Sequence, residues 1–445
     1  MNRNNPPLFF LYIFNLLLIL SCSIENKSSF SSSFKIITDE GNSFSIDEPL
    51  GTLKLSAIDK INSKSVKGTW SVNDLSIAEI NSKTGLLKAK RNGKVKVSLF
   101  VSPSSRMSKE IVISHQLIPI ANNIVLHPHL NAVSMTIDRA DLEAINKGEF
   151  DLRKLTHPIY NFFEDDFDFI FLISHNYGCP ECPYAGRNTL VKNDIKGIGK
   201  PLYNSCKKFG SQGKLQSIIH ITQSRGMTNG TALHELMHRW GNYVLPSYSF
   251  DSQGGQKRDY SHWGVSSANG VLGGFELNKK DTMTMNAFKA NFSKNPYFST
   301  NHNHTKYSPI ELYLMGMIPK DEVPPLTVYS GIKCNPEVFK KTGLFSSDST
   351  STYTINDIIR RHGERIPSYH SSQKTFKALA VILSTTSNPI RKNEWAFYTE
   401  EISKFCASEN NENHLNFYQA TGKRAELTMG ELDKSLRKAP EVSSR

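Results

Sequence analysis

Between residues 35 and 118 the chain alternates apolar and polar positions in short runs. "GTLKLSAI", "GTWSV", "SIAEINS", "GLLKAK", "KVKVSLFV" and "KEIVISHQ" each follow the period of two that turns one face of a strand inward, and Gly, Asn, Ser and Lys turns separate them. That rhythm predicts a small all-β sandwich. The pattern changes near residue 120. "DRADLEAINKGEF" has helical spacing opened by Asp138, whereas "DFDFIFLIS" (166–174) and "LQSIIHITQ" (215–223) read as buried strands. After the break "SRGMTNG" an apolar helix is predicted from about Thr231, capped by Thr228 or Asn229, to the C-cap pair Gly241-Asn242. "SPIELYLMGM" (308–317) reads as a short helix stopped by Gly316 and Pro319. Toward the C-terminus, "TINDIIRRHGERIPSYHSSQKTFKALAVILSTT" and "NEWAFYTEEISKFCA" read as two or three helices. No internal repeat is visible, and 445 residues suggest two or three domains.

The first residues fall outside this scheme. Arg3 precedes an apolar run from Leu8 to Leu20, too short to cross a bilayer comfortably and read as an export signal. Ile19-Leu20-Ser21-Cys22 resembles the lipobox of bacterial lipoproteins, with Ile where Leu is usual. The resemblance implies removal of residues 1–21, lipidation of Cys22 and attachment to a membrane; the alternative is a plainly cleaved signal and a secreted protein. Residues 22–34 are Ser-rich and read as a flexible tether. An exported chain meets oxidising conditions, so Cys179, Cys182, Cys206, Cys334 and Cys406 are expected to supply structural disulfides of undetermined pairing, with at least one thiol left over. "CPEC" (179–182) also has the spacing of a redox pair or half a metal site. Composition is globular, with 38% hydrophobic and 21% charged residues. The net charge of +12 is spread without a long Lys/Arg cluster or nucleic-acid motif, which points to a basic surface rather than a nucleic-acid partner.

Candidate chemistry lies in "HELMH", residues 234–238. On a helix, positions four apart share a face, so His234 and His238 can present two imidazoles to one ion. Glu235, rotated by about 100°, falls beside the ion's solvent ligand, where it can act as general base. This is the HExxH arrangement of zinc metallopeptidases, and Zn2+ is the cofactor it predicts. A catalytic zinc needs a third protein ligand and an open position. The extended "HExxHxxGxxH" pattern matches at Gly241 but has Val244 at the ligand position. The third ligand is therefore expected further on: His262 in "DYSHWGVSSANGVLGG", or alternatively Glu311 in "YSPIELYLMG". Glu311 also fits a capping box with Ser308 at the cap and Pro309 at N1. His302 and His304 rank behind both. Tyr260, Tyr307 and Tyr313 neighbour these candidates, and nothing in the sequence selects one as an oxyanion donor.

Two resemblances extend this reading. "GTWSVNDLSIAEINSKTGLLKAKRNGKVKVSLFV" resembles the group 2 bacterial immunoglobulin-like domain, which implies a sandwich with Trp70 between its sheets, acting as a spacer or adhesive element. "HELMHRWGNY", "SHWG", "YSPIELYLMG", "GERIPSYHSSQKTF" and "FYQATGKRAEL" occur in an order that resembles a group of secreted bacterial zincin-like proteins, over roughly residues 135–430. That likeness implies a mixed sheet over an active-site helix, an edge strand that pairs the substrate backbone, His234, His238 and His262 as ligands, Glu235 as base, and Met315 beneath the metal. The fold class expected is multidomain: an Ig-like sandwich (35–118) followed by an α+β zincin-like domain (120–445) with a helical C-terminal part. The function expected is a surface-anchored zinc endopeptidase acting on protein or peptide. The alternatives are an adhesin whose zinc site is structural or vestigial and, further off, a CPEC redox protein.

Overall fold

A computed structural model describes residues 33–39, 41, 43–176, 179–276, 305–409 and 415–437, and the backbone of 287–289. The export signal, Cys22, His302 and His304 lie outside the described residues.

The alternating N-terminal runs become eight strands: β1 (Phe34–Thr38), β2 (Ser45–Ile46), β3 (Thr52–Asp59), β4 (Thr69–Val72), β5 (Ala78–Ile80), β6 (Leu86–Ala89), β7 (Gly93–Ser102) and β8 (Ser105–Ile113). They form two four-stranded sheets, ordered β1-β3-β6-β5 and β2-β8-β7-β4. The inward positions Leu53, Leu55, Leu87, Val97, Leu99 and Ile111 are 0–1% exposed and enclose Trp70 at 6%. One boundary shifts: Phe34, assigned to the tether, is the first residue of β1 and is buried.

The second domain has a different logic. β9 (Ile118–Ala121), β10 (Ile124–Leu126), β11 (Val133–Ile137), β12 (Phe169–Ser174) and β13 (Gly186–Leu190) precede the small pair β14 (Lys192–Asn193) and β15 (Tyr203–Asn204). β16 (Ser217–Ile221) follows, then the hairpin β17 (Ser247–Phe250) and β18 (Gln256–Asp259), and β19 (Ala287–Lys289). β20 (Leu326–Ser330), β21 (Leu344–Ser346), β22 (Ser349–Tyr353), β23 (Thr375–Thr385) and β24 (Glu426–Thr428) complete the strands. The helices are α1 (Arg139–Lys147), α2 (Arg153–Phe162), α3 (Ala232–Met237), α4 (Pro309–Met315), α5 (Pro336–Thr342), α6 (Ile355–His362), α7 (Lys392–Cys406) and α8 (Phe417–Ala420). An eight-stranded sheet runs β13-β16-β12-β23-β11-β10-β9, with β24 added to β23. β16, β12, β23 and β11 are parallel, and β13 closes one edge antiparallel to β16.

Alternation along the central strands feeds two cores. Phe169, Phe171 and Ile173 of β12 pack with Leu233, Leu236, Ile310, Leu314 and Phe405 on the face covered by α3, α4 and α7. Ile170 and Leu172 pack with Leu142, Ile145, Leu155 and Ile159 of α1 and α2 on the other. Strands covered on both faces are apolar throughout, and all six residues of β12 and all five of β16 are buried.

Two expectations fail. The stretch ending "KTFKALAVILSTT" is not helical: Thr375–Thr385 forms β23, the central strand, so the C-terminal part is not simply helical. A continuous apolar run has no period to separate a buried strand from a buried helix. The helix expected to reach Gly241 also ends early. α3 has six residues, and Arg239 N–H and Trp240 N–H bond back to Leu236 O and Met237 O in tighter turns that carry the chain through His238.

Two buried histidines set an acid limit. His127, its ring edge-on to Trp395, and His220 on β16 are pushed down to about 3 by burial, His220 additionally by Arg187. Both values lie below that of the unfolded chain. The penalty is therefore absent above about pH 6.5 and grows as pH falls through it toward pH 3. Denaturant unfolding at pH 7.5 and 5.5 is expected to show a loss of about 3 kcal/mol from the pair. His127→Gln is expected to remove about half of that slope; an unchanged slope counts against this account.

Candidate metal centre

α3 rises directly from the Gly-containing turn after β16, with its apolar side, Leu233, Leu236 and Met237, fully buried on the sheet. Its other side carries His234 and, just past its end, His238; both are partly exposed. The loop after β18 returns His262 to them. One ring nitrogen from each of the three lies within 4.8 Å of the others, and the ring centroids are 4.8–5.2 Å apart.

The outer nitrogens fix how the rings face. His234 Nδ1 donates to Val271 O at 2.8 Å, and His262 Nδ1 donates to Asp259 Oδ1 at 3.1 Å. Each donation places the ring proton on Nδ1, so both Nε2 atoms present lone pairs. Those two Nε2 atoms stand 3.2 Å apart. Facing lone pairs repel unless a positive charge lies between them. Nitrogens about 2.05 Å from a tetrahedral ion are separated by roughly 3.3 Å, so the spacing suits a zinc ion. His238 is held well below the ordinary imidazole range, first by burial and then by His234, His262 and Lys200, which keeps it a neutral donor. The chemistry of the donor set therefore fits the ion that the sequence implies.

Glu311 is placed outside this cluster, and its carboxylate has other work. Oε1 accepts from Trp263 Nε1 at 2.9 Å and Leu272 N at 2.8 Å; Oε2 accepts from Val271 N at 3.0 Å and Ser308 N at 2.8 Å. The last of these belongs to the expected capping box. Burial raises the carboxyl and the four N–H donors oppose that rise. Gly270 lets the loop lie this close, since a Cβ there would fall 2.2 Å from Glu311 Oε2. Glu311 thus holds the loop that follows His262 and whose Val271 carbonyl orients His234.

Glu235 is 6% exposed, and its carboxyl accepts no hydrogen bond among the described residues. Burial pushes it up to about 8. It lines a cleft of about 470 Å³ with the three histidines, Tyr184, Gly186, Arg187, Asn188 and Tyr243. β13 forms one wall. A Cβ on Gly186 would lie 2.6 Å from Glu235 Cγ, so this position admits glycine. Asn188 Nδ2 donates to Glu235 O at 2.6 Å, tying the strand to the helix.

Sequence reasoning missed the β13 residues and Tyr184, because only the fold brings that strand to α3. Asp259 had a signal, a carboxylate three residues before a histidine. The tyrosines singled out earlier lie elsewhere: Tyr260 is 76% exposed, Tyr307 is buried and donates to Leu233 O at 3.0 Å, and Tyr313 and Met315 are in the core. Tyr184 and Tyr243 do line the cleft, but their hydroxyls donate to Ile145 O and His238 O, each at 2.8 Å. Cys179 and Cys182 form a disulfide in the loop before β13; Cys206, Cys334 and Cys406 are free thiols.

Comparison with known proteins bears on the first domain. Residues 48–111 match the bacterial Ig-like domain family (group 2), so the chain contains an Ig-like domain there. Among solved structures, the chain resembles a C-terminal 282-residue intimin fragment in complex with the intimin-binding domain of the translocated intimin receptor. That match has 17% identity over 21% of this chain and 32% of that one, with a TM-score of 0.15. An EHEC O157:H7 intimin mutant gives 16% identity, 29% and 65% coverage and 0.16; an intimin–Tir90 complex gives 19%, 29% and 66%, and 0.16. The chain thus covers less than two thirds of each of these structures. No curated protein matches the chain.

The two candidate third donors are expected to separate by substitution. His262→Ala should lower zinc affinity by at least about 100-fold with little change in the apo melting temperature. Glu311→Ala leaves several buried N–H groups unpaired and should cost at least about 3 kcal/mol. Zinc content by elemental analysis and calorimetric melting of both variants give the answer; the reverse pattern would exchange their roles.

Proposed function

We propose that the second domain is a zinc-dependent endopeptidase of zincin type. The observation that carries this reading is one cleft that holds three converging imidazoles and, among the described residues, a buried carboxyl without a hydrogen-bond partner and the unpaired edge of a strand. When bound, zinc supplies a Lewis acid that polarises the scissile carbonyl and brings the pKa of coordinated water to about 7. The chain's own groups do the rest. An extended peptide pairs its backbone with β13, which places a carbonyl beside His234, His238 and His262. Glu235 takes a proton from the attacking water and returns it to the departing amine nitrogen. The narrow wall at Gly186 keeps the carboxyl turned toward the peptide. The Ig-like domain precedes this unit as a spacer. Anchoring at the cell envelope through Cys22 belongs to the same proposal and rests on the apolar run and lipobox alone. The Ig-like domain also suits a second reading, an adhesin with a structural zinc, in which protein binding survives and cleavage is absent.

Glu235→Gln is expected to retain zinc while cleavage of a mixed peptide library falls by about 100- to 10,000-fold. Chelation should abolish wild-type cleavage, and zinc should restore it. Gly186→Ala should lower cleavage with zinc content unchanged. Mass spectrometry of the digests reads all three; a Glu235→Gln variant as active as wild type discards the mechanism.

A further inference from the structure

β13 has a hollow on each side. Gly186 and Asn188 face α3 and the histidine cleft, as their approach to Glu235 shows. Arg187 and Thr189 alternate to the opposite face and line a second cavity of about 210 Å³. Its walls include Phe150, Leu152 and Phe209, which pack on the core beneath α1 and α2. Tyr184 and Arg187 line both hollows, so the two meet at the edge strand. Arg187 is steadied there by Gly148 O, 2.7 Å from its Nη1.

The wall also contains a polar group without a partner. Ser174 Oγ gives its proton to Asn146 Oδ1 at 2.7 Å, so it must accept from His220 Nε2 at 2.9 Å. His220 Nδ1 is then a bare lone pair, and no donor reaches it among the described residues. His220 is 3% exposed and lies directly across from Arg187 in the β13–β16 register. A cavity walled by the rings of Phe150, Tyr184, Phe209 and His220 suits an aromatic side chain.

A peptide on the free edge of β13 sends alternate side chains to the two faces, each sharing a face with the residue it opposes. We propose that the second cavity is a specificity subsite, distinct from the histidine cleft, that takes the aromatic side chain of the peptide residue opposite Arg187 or Thr189. The proposal rests on reading β13 as the substrate strand.

Fluorescence anisotropy of labelled decapeptides on the full chain, with excess chelator to stop turnover, tests it. The peptides differ only in Tyr, Phe or Ala walked through each position. At one position Tyr and Phe are each expected to bind about ten-fold tighter than Ala. Thr189→Trp, which fills the cavity, should erase the difference. Phe150→Ala, at the rim, should weaken the preference and serves if Thr189→Trp fails to fold. Equal affinity for the three peptides, or a preference that survives both variants, overturns the proposal. A parallel zinc-loaded cleavage assay separates the two ideas. Aromatic-selective binding without cleavage retires the peptidase and keeps the subsite; cleavage without aromatic preference does the opposite.

Discussion

One buried carboxylate organises the centre of the second domain. The four N–H donors of Glu311 come from the first turn of α4 and from three points on the loop that follows His262. An anion in an apolar interior is costly unless its lone pairs are filled, so this loop cannot leave α4 without exposing a large penalty on both partners. The consequence reaches the histidines. The peptide unit whose N–H Glu311 holds at Leu272 is the one whose carbonyl, on Val271, takes the Nδ1 proton of His234. His262 is the residue before Trp263, whose indole the same carboxylate holds. Two of the three imidazoles are thus aimed by a group that touches neither.

The sheet supplies the other constraint. Four parallel strands buried on both faces leave only their ends and edges for polar work, and the edge next to α3 is the antiparallel β13. Because α3 is the next helix after β16, separated from it by the ten residues 222–231, and β16 is β13's partner, the helix bearing Glu235 runs beside that edge. Connectivity thus brings Glu235 up against Gly186, while His262 is delivered separately by the loop after β18.

What could be read in the sequence follows from where local pattern carries the information. The Ig-like strands were legible because each has one wet face, so period two survives in the residues. β12 and β16 were legible as short apolar runs rich in Ile and Phe. β23 was not, because a central strand that is apolar on both faces shows no period of two, and its Lys-Ala-Leu-Ala stretch suits a helix equally well. "HELMH" announced two converging imidazoles by spacing alone. His262 was reachable as the next histidine after the motif, and Asp259 beside it could have been inferred as its orienting partner. Arg187, Asn188 and Gly186 were beyond reach, since nothing in "AGRNTL" states that it borders a helix encoded far downstream.

The form of the site also weighs between a structural and a catalytic ion. A structural zinc closes its coordination with four protein donors, whereas a catalytic one keeps a position for solvent and substrate. Among the described residues the cluster offers three donors. The remaining side opens on a cleft of about 470 Å³ rather than on packed side chains. Glu235 lines that same cleft at 6% exposure, and its carboxyl accepts no hydrogen bond among the described residues. An unsupported buried carboxyl weakens a purely structural site, and the same substitution-tolerant role could be filled by any apolar residue of the helix. Its position makes physical sense where a proton must be exchanged with something that enters the cleft and leaves it again.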